Sequence, residues 1–233
     1  MKELRALKRV FKLWNLNSTY EQVLKTAYQK NVKIFNEREF YNYFQNKDFQ
    51  LTAIDEPILV LKHDVDRMLS PIAVIDKIEK KYKAASTYHV RADEAQYSLP
   101  EAQKVCKDLD VALHLVGDVA TDKQNFLKYF PDVIGCSTHG GHEKQFVFND
   151  SLIDELAEHF DYVSDGLLRP EPIRIKDKFL LIPIDSADIY LENLLSKLEE
   201  TIKKNKVMIL NTHVEYFTPL AYLKRQFMQL FGK

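Results

Sequence analysis

The chain has 233 residues, and its 33 basic and 34 acidic side chains leave a formal net charge of −1. A chain of this length can bury one large core, and its balanced charge excludes a general attraction for nucleic acid, so no nucleic-acid partner is expected. Two cysteines, Cys106 and Cys136, are too few for a disulfide framework and too far apart for a Cys-x-x-Cys site, which favours the cytoplasm. No apolar run reaches the roughly 18–20 residues of a membrane helix, so no integral membrane segment is predicted.

The first fifty residues predict helices. Ser18-x-x-Glu21 has the form of a capping box and is followed by apolar residues at helical spacing. A second helical pattern, rich in Phe and Tyr, covers residues 37–47. We therefore predict a helical extension over residues 1–50 and a larger domain over residues 51–233.

After residue 50, short apolar runs alternate with amphipathic helices. The apolar runs are PILVLK, STYHV, VALHL, VIGCSTH, YVSD, FLLIPI and VMILNTH. The helices are predicted to begin near Ser70, Ser98, Thr121, Ser151, Ile189 and Thr218. This alternation indicates an α/β fold with a parallel sheet, and about seven strands suit a partly regular (β/α)7-type barrel. An open doubly wound sheet stays an alternative.

Several predicted strands end in side chains that bind metals or transfer protons. These are Asp64 and Asp66 after PILVLK, His114 and Asp118 at VALHL, His139 and His142 at VIGCSTH, Asp165 at YVSD and His213 at VMILNTH. Each of them alone has an ordinary structural explanation as a helix cap, a turn residue or a packed histidine. Because the carboxyl ends of parallel strands share one face, we expect these groups to converge in one cleft.

Aspartates and histidines without thiolates favour zinc, or another divalent ion such as iron, manganese, cobalt or nickel. Such an ion leaves positions open for water and substrate. It also lowers the pKa of bound water toward about 7 and polarises a carbonyl group. The predicted cofactor is therefore a divalent metal ion, with zinc first, and the predicted chemistry is hydrolysis. His89 and His159 are assigned to structure.

The motifs LKHDVD, STYHVR, VALHL, CSTHGG, YVSDG and NTHVEYF resemble those of the polysaccharide deacetylases of the NodB-homology type, carbohydrate esterase family 4. The resemblance is greatest to the branch whose first motif reads HDVD, which is associated with surface polysaccharides, and it spans roughly residues 57–217. It implies removal of an acetyl group from an amino sugar or a glycan precursor. In the cytoplasm, the expected substrate is a nucleotide-linked or lipid-linked sugar, or an unfinished glycan.

The resemblance also implies roles for the matched residues. Asp64 matches the catalytic base that activates the attacking water, and Asp66 matches the aspartate that binds the metal. His114 matches the first histidine of the second motif, which is a metal ligand. His213 matches the general acid that protonates the leaving amine.

The second motif departs from the family pattern, because the usual His-x-x-x-His reads His114-x-x-x-Asp118 here. The third metal ligand therefore has to come from elsewhere or from an aspartate. We predict His139, which directly closes a strand, and keep Asp118 and His142 as alternatives.

Two arginines, Arg91 and Arg169, are predicted to hold an anionic or hydroxylated part of the substrate, and Asp165 to orient a catalytic group. Two other functions stay open. One is a hydrolase that acts on another C–N bond or on a phosphoester, because the same ligands support that chemistry. The other is a glycan-binding relative without catalysis, which the altered second motif favours.

Overall fold

The computed structural model describes residues 15–50, 54–139, 146, 149–168, 172–187, 193–219 and 221. The helices are α1 (Leu16–Gln29), α2 (Glu37–Gln45), α3 (Ile72–Lys81), α4 (Leu99–Val105), α5 (Val119–Leu127), α6 (Asp150–His159) and α7 (Leu194–Lys204). The strands are β1 (Lys33–Phe35), β2 (Ile58–Val65), β3 (Thr87–Arg91), β4 (Asp110–Leu115), β5 (Gly135–Thr138), β6 (Tyr162–Asp165), β7 (Arg174–Lys176), β8 (Phe179–Pro183), β9 (Ser186–Ala187) and β10 (Val207–His213). Short 3-10 helices follow β6 and β10, and none of the described helices has the length and apolar character needed to cross a membrane.

In the described part of the chain, ten strands form one curled sheet in the order β7-β8-β6-β5-β4-β3-β2-β10-β9, with β1 beside β2. Every pair is parallel except β7 with β8. Both β1 and β10 pair with the start of β2 at Ile58, so they must lie on opposite edges of this strand. On the edge with β1, β3 pairs with the later part of β2, from Lys62 onward. The predicted α/β barrel class is confirmed as a half-barrel.

Side-chain alternation along the strands divides the core into two layers. In β2, Leu59 and Leu61 face outward and join the layer between sheet and helices. Ile58 and Val60 face inward and pack with residues such as Ile209 inside the half-barrel. The inward layer is apolar at the amino ends of the strands, which leaves the carboxyl ends free for polar side chains.

Helix α2 closes the amino end of the half-barrel, and we call it the plug helix. Phe40 and Phe44 are fully buried in the inner core, with their rings edge to face at 5.0 Å. The helix begins with a capping box, in which the Asn36 side chain accepts a hydrogen bond from the Glu39 backbone N–H and the Glu39 carboxylate accepts one from the Asn36 N–H. The plug helix is therefore part of the barrel core.

The first fifty residues also contain a strand, because β1 joins the sheet. This strand has three residues, too few to show an alternation of polar and apolar side chains in the sequence. The strands β7 and β9, with three and two residues, are too short for the same reason. Helix α1 packs in the outer layer through Leu16 and Tyr20, both fully buried. A domain boundary at residue 50 stays a prediction.

The capping box predicted at Ser18 and Glu21 is wrong. Helix α1 begins at Leu16 after Asn15, and the Ser18 hydroxyl donates to the Asn15 carbonyl oxygen. The reason is that Leu16 and Tyr20 lie one turn apart on the buried face, so burial extends the helix beyond the cap that the pattern indicated.

One other predicted helix start shifts slightly, and two lie wholly or mostly outside the described residues. Helix α5 begins at Val119, before Thr121. Helix α7 is described from Leu194, whereas the predicted start at Ile189 lies outside the described residues. The helix predicted near Thr218 falls mostly outside them as well.

Gly135 in β5 provides a test of the inner packing. A Cβ atom there would lie 1.9 Å from Cζ of Tyr162, whose ring is 1% exposed. We expect Gly135→Ala to lower the free energy of unfolding by about 1–3 kcal/mol, because the ring or the backbone must move. Urea denaturation measures the change. Gly166→Ala is the control, since its Cβ meets nothing closer than 3.9 Å and should change stability by less than about 0.5 kcal/mol. Equal stability of the two variants would contradict this packing.

Candidate metal centre

The structure brings the predicted site residues together at the carboxyl end of the half-barrel. Asp64 lies in β2 and Asp66 directly after it, while His114 lies in β4. His139 follows β5, and His213 ends β10 in register with Asp64. The convergence arises because these strands are parallel, so that their carboxyl ends point the same way.

Three of these side chains form a compact triangle. Asp66 Oδ1 lies 3.3 Å from His114 Nε2 and 3.2 Å from His139 Nδ1, and the two nitrogens are 3.1 Å apart. Ligands at about 2.0–2.1 Å from a tetrahedral ion are separated from one another by about 3.3–3.4 Å. The triangle therefore has nearly the dimensions of one face of a zinc coordination shell.

The charge state of Asp66 also fits a cation. Burial alone would raise the pKa of its carboxyl group, but the neighbouring His114 and His139 outweigh burial and hold the pKa well below its usual value. Among the described residues, its buried Oδ1 has no hydrogen-bond donor in good geometry, although both nitrogens lie within 3.3 Å. A divalent ion bound between these three atoms would compensate the buried negative charge more fully than the imidazoles do.

Arg91 lies beside this triangle. Its guanidinium binds Asp93 through Nε and Nη2, and its Nη1 donates to His139 Nε2 at 3.1 Å. While Arg91 donates to Nε2, the proton of a neutral His139 ring sits on Nδ1. His139 can bind a cation through Nδ1 only when that proton is on Nε2, so this contact with Arg91 has to open. The predicted contact of Arg91 with substrate stays a prediction.

Asp64 is held as a carboxylate by its own set of partners. Asn211 Nδ2 donates to Asp64 Oδ2 at 2.7 Å, and Lys62 Nζ lies 3.5 Å from Oδ1. Burial would raise the pKa of Asp64, but Lys62 above all, with smaller effects of His114 and His213, holds it far below its usual value. Asp64 is therefore ionised near neutral pH.

His213 lies on the open side of the centre, with a quarter of its side chain exposed. Its Nε2 is 4.0 Å from Asp64 Oδ2 and 3.8 Å from Asp66 Oδ2. The ring is thus near both carboxylates and still reachable from solvent. This is the position that a proton donor to a bound substrate requires.

Other predicted residues have different positions. Asp118 is exposed and caps α5, where its Oδ1 accepts a hydrogen bond from the Thr121 N–H at 2.9 Å. Asp165 Oδ2 accepts hydrogen bonds from the backbone and the hydroxyl of Thr138, at 2.8 and 2.5 Å, and so secures the residue before His139. His142 and Arg169 lie outside the described residues.

His63, the first residue of the HDVD motif, points away from the centre. Its Nε2 lies 2.9 Å from Glu79 Oε1 in α3, and its Nδ1 lies 2.5 Å from Thr212 Oγ1 in β10. Tyr20 in α1 donates to the same Glu79 oxygen at 2.6 Å. His63 therefore joins β2 to the outer helices.

Sequence reasoning missed several buried polar groups around the centre: Glu37, Lys62, Ser137 and Asn211. Two of them carry a period-two signal that could have identified them. Lys62 precedes Asp64 by two residues, and Asn211 precedes His213 by two, so each pair shares one face of its strand. No comparable pattern marks Glu37, because it reaches the barrel from a helix.

The comparisons with known proteins concern the fold. No family model matches the chain, and no curated protein matches it. Among solved structures, the chain is similar to the Streptococcus pyogenes deacetylase PplD in complex with acetate, with a TM-score of 0.52 and 16% identity over 78% of this chain and 86% of that chain. The two proteins share a fold. At this identity the similarity concerns architecture, and it agrees with the barrel predicted from the strand pattern.

The triangle leads to a test by metal analysis. We expect the purified protein to bind about one Zn²⁺ or Co²⁺ per chain, and Asp66→Ala and His114→Ala to lose it, because an open site has few ligands to spare. Elemental analysis after dialysis gives the stoichiometry. The control is His159→Ala, which removes a histidine from α6, outside the cluster, and should retain the ion. Full metal content in both site variants would contradict the ligand assignment.

Proposed function

We propose that the protein is a metal-dependent deacetylase that removes an acetyl group from an amino sugar or a glycan precursor. The observation that carries the proposal is the triangle of Asp66, His114 and His139, flanked by Asp64 and His213. The resemblance of the HDVD and THVEYF motifs to polysaccharide deacetylases supports it. So does the similarity of the fold to that of a deacetylase solved with acetate.

In this proposal Asp66, His114 and His139 hold a divalent ion, with zinc first. Bound there, the ion would polarise the acyl carbonyl and lower the pKa of a water molecule. His139 takes the place of the missing histidine of the second motif. This substitution removes the main argument for a relative without catalysis, since Asp118 serves as a helix cap.

Asp64 and His213 carry the proton transfers. Asp64 is ionised and lies next to the triangle, so its carboxylate takes the proton of the water that attacks the acyl carbon. His213 donates a proton to the leaving amine, or to the alkoxide of an O-acetyl ester. The acyl bond then breaks with acetate as one product and the free amine or hydroxyl as the other.

The proposed substrate is a nucleotide-linked or lipid-linked sugar, or a short glycan, in the cytoplasm. Both cysteines are free and buried, in keeping with a reducing compartment. The proposed roles of Arg91 and Arg169 in holding the substrate belong to the same hypothesis.

The proton-transfer roles lead to a kinetic test. We expect Asp64→Asn and His213→Ala each to lower the rate of acetate release by about 10²–10⁴-fold, because each removes a positioned base or acid. Metal content should change little, since neither side chain belongs to the triangle. Melting temperatures show how far Asp64→Asn is destabilised by leaving the buried Lys62 without its carboxylate partner. Rates are measured on acetylated amino-sugar nucleotides and short acetylated glycans.

His159→Ala again serves as the matched histidine control and should keep the parent rate. Parent-level turnover in both site variants would refute the mechanism. A parent that binds metal but releases no acetate across the whole panel would refute the deacetylase proposal and favour hydrolysis of another bond.

A further inference from the structure

A continuous path of hydrogen bonds crosses the barrel interior from the plug helix to the metal centre. Glu37 Oε2 lies 2.6 Å from His89 Nε2. Ser137 Oγ lies 2.7 Å from His89 Nδ1 and 2.7 Å from His114 Nδ1. All four side chains are buried, with exposures between 0% and 3%. Buried polar groups with defined partners restrict one another's proton positions.

The Glu37 end determines the direction of these bonds. A carboxylate only accepts, so His89 Nε2 must carry a proton and donate it. Burial lowers the pKa of His89 despite the nearby Glu37, so the ring is neutral and its Nδ1 accepts. The Ser137 hydroxyl then donates to His89, and its oxygen accepts from His114. The Nδ1 of His114 therefore carries a proton, which leaves Nε2, the nitrogen that faces Asp66, as the atom that can bind a metal ion.

The opposite end of the network is compatible with this tautomer. The guanidinium of Arg91 only donates, so His139 Nε2 accepts from it and the proton of a neutral His139 sits on Nδ1. That proton has two acceptors within reach, His114 Nε2 at 3.1 Å and Asp66 Oδ1 at 3.2 Å. The Arg91 end therefore permits the Nδ1-protonated form of His114, and the Glu37 end selects it.

We infer that Glu37, His89 and Ser137 are positioning residues that keep His114 in the tautomer able to bind a metal ion. This inference rests on the metal site of the proposed function and deepens it. Groups behind a metal-binding histidine fix its tautomer and orientation, and their loss lowers metal affinity. Here the last group comes from the plug helix, outside the part of the chain that carries the deacetylase-like motifs.

The local structure explains how Glu37 reaches this position. It is the first residue of α2, and its backbone N–H donates to Thr87 Oγ1 at 2.8 Å. Thr87 precedes His89 by two residues in β3, so the two share the inner face. The plug helix is thereby attached directly below the histidine that its carboxylate binds.

The first experiment compares two serine variants on neighbouring strands. We expect Ser137→Ala to weaken Zn²⁺ binding by about 10–100-fold, because His114 loses the acceptor for its Nδ1 proton. Ser164→Ala is the matched control. Ser164 is also fully buried, but its hydroxyl has no hydrogen-bond partner among the described residues, so affinity should stay within about 3-fold of the parent. Competition with a chromophoric chelator measures the dissociation constants.

Two Glu37 variants measure how much the acceptor oxygen of this residue contributes to Zn²⁺ affinity. Glu37→Gln keeps an oxygen that can accept from His89, whereas Glu37→Ala removes it. Zn²⁺ affinity should therefore fall further in Glu37→Ala than in Glu37→Gln. Melting temperatures identify any variant that fails to fold. If Glu37→Ala does not fold, the Zn²⁺ affinity of Glu37→Gln is compared with that of the parent.

The second experiment determines the tautomer directly in the metal-free protein. Ring ¹⁵N chemical shifts should place the His114 proton on Nδ1 in the parent and in Ser164→Ala, and shift it toward Nε2 in Ser137→Ala. A parent with the proton on Nε2, or equal affinities in Ser137→Ala and Ser164→Ala, would overturn the inference. Neither readout uses a substrate, so a missing deacetylase activity would leave both results interpretable.

Discussion

The constraint on which the rest of the structure depends is the burial of two carboxylates, Asp64 and Asp66, at one end of the barrel. Their exposures are 6% and 8%, and a buried negative charge is costly unless cations and hydrogen-bond donors surround it. Lys62 and Asn211 meet this need at Asp64, and imidazoles meet part of it at Asp66. The inner face of the sheet is accordingly apolar near the plug helix and polar at the carboxyl end.

Much of this arrangement could be predicted from the sequence, because polar residues that follow apolar runs lie together at the carboxyl ends of parallel strands. Asp64, His114 and His213 each stand at the end of an apolar run, and that alone predicts a common cleft. The choice of His139 over Asp118 depends on where α5 begins. Since α5 starts at Val119, the Asp118 carboxylate is used as its cap, and His139 lies beside Asp66 instead.

What could not be predicted depends on contacts across long stretches of chain. Glu37 and His89 are 52 residues apart, and no periodicity links a helix residue with the inside of a barrel. The sequence predicts only a structural role for His89, because a histidine within a strand is usually a packed one. The strand β1 could not be predicted because three residues are too few to show an alternation of polar and apolar side chains, although it pairs in register with the start of β2.

The plug helix has a consequence for the whole fold, because binding and stability are reciprocal. If Glu37 raises the affinity of the centre for an ion, thermodynamic linkage requires the ion to stabilise the bonded state of Glu37 by the same factor. An ion bound at the open end would then slow the exchange of amide hydrogens in α2 at the closed end. The floor of the barrel and the rim that carries the candidate metal centre would respond as one cooperative unit, linked through the interior.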